Sequence, residues 1–305
     1  MNKIEGLIAA TFAAFNGDGS LNLNIIPRIT DKMVEDGLTG VFICGTNGEG
    51  PNLTVEERMQ VAEAYVKAAR KRLLVLVHVG HTSIAESRKL AFHAQQIGAD
   101  AISSVAAFYF KPASVKILVD SMAEIASAAP KLPFYYYHIP ALTGMHMDMV
   151  EFLKLSEDVI PNLAGIKYTA STLHEYQACL NYKNGKYDIL FGYDEMLLGA
   201  LAVGAKGAVG STYTFCAPIY LRIIEMYHKN EQEGARNLQM ISVEMVRCIV
   251  KYAPIPAQRA IMKMIGFELG PCRLPLLSLT DKEYEELKTA ITPIVSFDFA
   301  TATKY

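Results

Sequence analysis

Lys167 stands in the apolar context "NLAGIKYT", where a cationic side chain is costly unless it is paired or used. Burial disfavours the charged form of a lysine, lowers its pKa and leaves a free amine able to attack a ketone. The alternative is a strand-end lysine whose head reaches solvent along its apolar stem. Thirty residues earlier lies Tyr137, in "PFYYYHIPALTG", and a phenol beside an amine can shuttle protons. Three consecutive tyrosines read equally as an aromatic core strand. Side chains alternate between faces along a strand, so Tyr135 and Tyr137 share one face and Tyr136 takes the other. If Lys167 points into a barrel mouth, Tyr137 is the phenol nearest the rim, Tyr135 lies a layer deeper and Tyr136 packs outward.

Other stretches carry weaker signals. "GTNGEG", residues 45–50, puts small residues before a capped helix, so backbone amides can converge on a carboxylate, although a plain tight turn would look the same. Asp194 and Glu195, after "FGY", either accept hydrogen bonds from sugar hydroxyls or cap the helix that follows. His78 and His81 in "HVGH" have no nearby Asp, Glu or Cys to complete a ligand set, so no metal is expected. "GAKGAVG" lacks a GxGxxG opening a helix and supports no nucleotide site.

These residues need elements to hold them. Short Val-, Ile-, Phe- and Tyr-rich runs over 7–13, 40–45, 73–80, 99–106, 133–138, 163–168, 188–192 and 207–211 alternate with helix-period segments such as Thr54–Arg70, Ile84–Gln96 and Val115–Ala129. Eight strand-helix repeats with strands apolar almost throughout predict a (β/α)8 TIM barrel rather than an open doubly wound sheet. Tyr137 and Lys167 then sit on adjacent parallel strands roughly 4.8 Å apart. Helices over Ala217–Tyr227, Glu233–Val250, Ile255–Ile265 and Asp281–Ile291 follow. The expected organisation is a barrel over 1–231 with C-terminal helices over 232–305 packed on it as one structural domain.

With 305 residues, 51% hydrophobic and 20% charged, the chain can bury one large core. A net charge of −2 and short basic clusters argue against nucleic acid, and no run approaches the ~18 apolar residues a membrane span needs, so a cytoplasmic protein is expected. Five scattered cysteines with no CxxC argue against a disulfide framework or a zinc site.

Taken in order and at their intervals, "GTNGEG", "YYYHIPALTG", "GIKYT", "FGYDE" and "GSTY" resemble the N-acetylneuraminate lyase and dihydrodipicolinate synthase family of Schiff-base class I aldolases, over essentially the whole chain. The resemblance implies Lys167 as the Schiff-base former, Tyr137 as its proton-transfer partner and Thr46 as a member of the same relay. It implies Thr46 and Asn47 as carboxylate binders, and Thr169, Gly192, Asp194, Glu195, Gly210 and Ser211 as contacts for the polyhydroxy tail of a sugar acid. It further implies a small-molecule substrate, no cofactor beyond the covalent lysine, and a homotetramer in which Tyr109 reaches a neighbouring subunit's relay; a surface aromatic in a loop is the other reading of Tyr109. Synthases of the family carry an arginine where this chain has Leu142, which favours cleavage of sialic acid to N-acetylmannosamine and pyruvate over dihydrodipicolinate synthesis or a 2-keto-3-deoxy sugar acid aldolase. Two departures stand out: Asn47 where members commonly have Thr, and "TFAAF" where "TPF" is common.

Overall fold

In a computed structural model, which describes residues 3–295, eight parallel strands close on themselves in chain order. They are β1 (Gly6–Ala10), β2 (Gly40–Ile43), β3 (Leu74–His78), β4 (Ala101–Val105), β5 (Phe134–His138), β6 (Leu163–Tyr168), β7 (Asp188–Phe191) and β8 (Gly207–Gly210), with β8 pairing back onto β1. The chain is therefore a (β/α)8 barrel, and each expected strand is present: β6 has its expected bounds, β1 starts one residue early and ends at Ala10, and the others are trimmed at one end or both.

Between and after the strands lie α1 (Ile26–Glu35), α2 (Val55–Ala69), α3 (Ile84–Gln96), α4 (Val115–Ala126), α5 (Pro140–Thr143), α6 (Met149–Ser156), α7 (Leu173–Asn181), α8 (Leu197–Ala202), α9 (Tyr213–His228), α10 (Gln232–Ile249), α11 (Pro254–Met264) and α12 (Asp281–Ile291). Capping side chains start several of them: Thr54 and Glu57 close a reciprocal capping box on α2, Thr280 and Glu283 another on α12, and Asp148 accepts from two amides of α6. Helix α9 begins at Tyr213 rather than at the expected Ala217, with a break at Cys216, whose backbone leaves the helical region two residues before Pro218. Helix α1, absent from the sequence reading, has Pro27 as its second residue and no side-chain cap, so its start signal is weak. Of the expected 232–305 extension, residues 296–305 lie outside the described residues.

Alternation along the strands divides the core in two. Ile8, Phe42, Leu76, Tyr135, Tyr137, Leu190 and Val209 fill the barrel interior, while Phe134 and Tyr136 belong to the larger layer between strands and helices. Tyr136 packs on Phe152 of α6, ring centroids 4.7 Å apart. Tyr135 lies deeper, its hydroxyl donating to Asp188 Oδ2 at 2.8 Å.

The register of β5 on β6 carries one irregularity with a large consequence. Phe134 pairs with Leu163, but Tyr135 pairs with Gly165, so one residue of β6 is skipped and Tyr137 comes to stand opposite Lys167. An unbroken register would have set Tyr137 against Ile166, whose side chain faces the helices. Gly165 permits the close approach, since a Cβ there would fall 1.6 Å from the carbonyl oxygen of Asp188 on β7.

Candidate active site

At the C-terminal ends of the strands a cavity of about 280 Å³ is lined by Thr46 and Asn47 after β2, Tyr137 on β5, Lys167 and Thr169 at β6, Gly192, Asp194 and Glu195 after β7, and Ser211 after β8. A larger groove of about 780 Å³, between the Phe15 loop and α12, contains none of these groups. Convergence of a buried amine, a buried phenol and unpaired backbone amides makes the smaller cavity the candidate site.

Lys167 is buried, with Nζ 3.8 Å from the ring centroid of Phe42 and 3.9 Å from that of Tyr137. Burial pulls its amine down to about 7, and the Asp194 carboxylate draws it partly back up. The lysine head therefore does not escape to solvent. Free amine is present at neutral pH, where an ordinary lysine is almost wholly protonated. Burial pushes the Tyr137 phenol up to about 12, against the opposing pull of the Thr46 and Thr169 hydroxyls. At rest Tyr137 is a neutral phenol.

The turn after β2 bends through left-handed residues Cys44 (φ 56°) and Glu49 (φ 49°). It is closed by Glu49 N donating to Thr46 O and Gly50 N to Gly45 O, each at 3.0 Å. Among the described residues the amides of Thr46, Asn47 and Gly48 make no hydrogen bond, which leaves adjacent N–H groups at the cavity edge for an anion. Behind the turn, Glu49 is buried and accepts from Arg259 of α11 at 3.2 Å and from the Arg273 amide at 3.2 Å. Arg259 also donates to the carbonyls of Ala13, Gly270 and Pro271 and makes a shorter bond to that of Leu269. A buried ion pair this well hydrogen-bonded ties the C-terminal helices to the turn after β2.

Asp194 and Glu195 separate in role. Asp194 Oδ2 accepts from the amide of Thr212 at 2.8 Å and from its hydroxyl at 2.7 Å. Thr212 is the N-cap of α9, so Asp194 caps a helix, but not the one that follows it in sequence. Burial raises the Asp194 carboxyl, and the Thr212 hydroxyl and amide hold it back down. Glu195 is half-buried at the cavity wall, raised by burial and then by Asp194. Gly210 is not in the wall; a Cβ there would fall 1.9 Å from Asp194 Oδ1, so this glycine makes room for Asp194. Tyr109 is also outside the cavity, 77% exposed and edge-on to Phe110.

His78 Nδ1 is 3.1 Å from the Cys44 carbonyl, and His81 Nδ1 accepts from the Ser83 amide at 2.9 Å. Sequence reasoning missed the far wall, made by Val246 and Ile249 of α10 and Val250 just after it, with Pro254 and Gln258 of α11. Their apolar spacing is indistinguishable from ordinary helix packing. Among the described residues no helix is long and apolar enough to cross a membrane.

A profile of the dihydrodipicolinate synthetase family matches residues 3–294. The Homo sapiens protein named N-acetylneuraminate lyase is 39% identical over 306 aligned residues, covering 99% of this chain and 95% of its own. Among solved structures, Proteus mirabilis N-acetylneuraminate lyase superposes with a TM-score of 0.94 at 38% identity, covering 96% of this chain and 99% of its own. N-acetylneuraminate lyase (sialic acid aldolase) from Aliivibrio salmonicida gives a TM-score of 0.94 at 39% identity, covering 96% and 98%. With its whole barrel matched by both profile and relatives, the chain belongs to the dihydrodipicolinate synthetase family.

Proposed function

We propose that this protein is an N-acetylneuraminate lyase, cleaving sialic acid reversibly to N-acetylmannosamine and pyruvate through a Schiff base on Lys167. The observation that carries the reading is the buried Lys167 amine, lowered to about 7 and held against Tyr137 beneath a turn of free amides. The names of the relatives support the choice of substrate.

The carboxylate of the open-chain sugar acid binds the Thr46 and Asn47 amides, and the Lys167 amine attacks the C2 ketone. Loss of water gives an iminium cation, the electron sink for the reaction, so neither a metal nor an organic cofactor is required. Tyr137 starts as a phenol. As the carbinolamine loses its hydroxyl, the phenol gives up its proton to the departing water; the cation forming on Nζ, 3.9 Å from its ring, stabilises the resulting phenolate, which with Thr46 then takes the proton of the C4 hydroxyl. The C3–C4 bond breaks, its electron pair forms an enamine on Lys167, and N-acetylmannosamine departs. Protonation at C3 and addition of water release pyruvate and restore the amine.

Glu195, Thr169, Gly192 and Ser211 contact the glycerol tail, with Asp194 and Gly210 fixing that wall. Leu142, where synthases carry arginine, presents no cation for a second substrate carboxylate. The protein works as a cytoplasmic homotetramer, with the exposed Tyr109 and Phe110 covered by a neighbouring subunit; its five free thiols fit a reducing compartment. Barrel and C-terminal helices form one structural domain, joined through Arg259 and Glu49. The test is pyruvate release from N-acetylneuraminate, run beside condensation of pyruvate with aspartate semialdehyde, with borohydride trapping to locate the adduct. Activity on the second reaction alone, or an adduct away from Lys167, refutes the reading.

A further inference from the structure

Two consecutive residues of α11 grip the turn after β2. Arg259 holds Glu49 from behind, and Gln258, only 5% exposed, faces the cavity, where its Oε1 accepts from Asn47 Nδ2 at 3.0 Å. The anchoring of α11 is already supplied by the many bonds of Arg259. That leaves the other end of the Gln258 amide to account for. Among the described residues its Nε2 has no hydrogen-bond partner, and it is not sealed from the cavity. A donor open to the cavity but without a protein partner is free to meet a ligand acceptor there.

We infer that Gln258 is a substrate-binding residue, whose Nε2, oriented by the Asn47 side chain, donates to the 2-keto acid carboxylate across from the Thr46 and Asn47 backbone amides. The inference rests on the Schiff-base reading and extends it to α11. It also accounts for Asn47: its amide both lies at the carboxylate end and supplies the donor that fixes Gln258, which a threonine hydroxyl at this position would reach differently.

The experiment uses the full chain and measures the concentration of pyruvate, and separately of its neutral amide, that half-saturates borohydride trapping on Lys167. Gln258→Glu keeps an acceptor for Asn47 but sets an anion against the carboxylate. Half-saturation by pyruvate should rise about tenfold or more, while that for the amide moves less than about threefold. Gln258→Leu, which removes the donor without adding charge, should show the same preference at about tenfold. It carries the test if the glutamate variant fails to fold. Unchanged pyruvate half-saturation, or equal losses for pyruvate and its amide, overturns the assignment. Absence of any adduct in the unsubstituted protein overturns the Schiff-base reading itself, and is recognised because it needs no substitution.

Discussion

Lys167→Met should make the protein more stable while abolishing imine formation. Burial moves the amine from its ordinary 10.5 to about 7. Between those values the unfolded chain holds a proton that the folded chain lacks, so wild-type stability rises with pH across that window and the penalty is fullest below it. At about 1.4 kcal/mol per unit, the buried lysine costs up to about 4 kcal/mol at pH 7, falling to about 2 kcal/mol by pH 9 and to near zero by about pH 10.5. Methionine keeps the apolar stem between Phe42 and Tyr137 without a titrating head. Thermal unfolding should therefore show the variant melting roughly 5–10 °C higher at pH 7, with the gap closing as pH rises. A variant that melts lower than wild type at pH 7, or a gap constant from pH 6 to pH 10, would refute the claim that desolvation of Lys167 is what activates it.

Tyr137→Phe should reduce cleavage by roughly 10²–10⁴ while pyruvate is still trapped on Lys167; Tyr136→Phe, altering only a ring packed on Phe152, should leave turnover within about threefold, and a reversal of that order would sink the face assignment. Arg259→Met strands the buried Glu49 carboxylate and should cost about 3–5 kcal/mol in denaturant unfolding; a loss below about 1 kcal/mol would show that the pair does not hold the C-terminal helices to the turn.

Much of this protein was legible in its residues. Apolar runs at strand spacing, separated by helix-period segments, marked all eight strands, and Thr54 with Glu57 signalled the start of α2 because capping is chemistry within four residues. The alternation of faces alone separated Tyr135 and Tyr137 from Tyr136, while the apolar context around Lys167 left a depressed amine and a head reaching solvent as alternatives that only burial in the barrel decided. Other features had no local signature. Asp194 read either as an acceptor for sugar hydroxyls or as the cap of its own helix, and neither reading held Thr212 at the start of α9, which is brought to it from the end of the next strand. Gln258 meets Asn47 across 211 residues, and neither side chain carries a mark of the other. The sequence by itself determined the eight strands, which strand residues share a face and where α2 begins, since periodicity and short-range caps follow from backbone geometry. Only the tertiary structure decided that Tyr137 faces Lys167: the skipped residue between Leu163 and Gly165 depends on how closely β6 can approach β7, a packing constraint felt only once the barrel has closed.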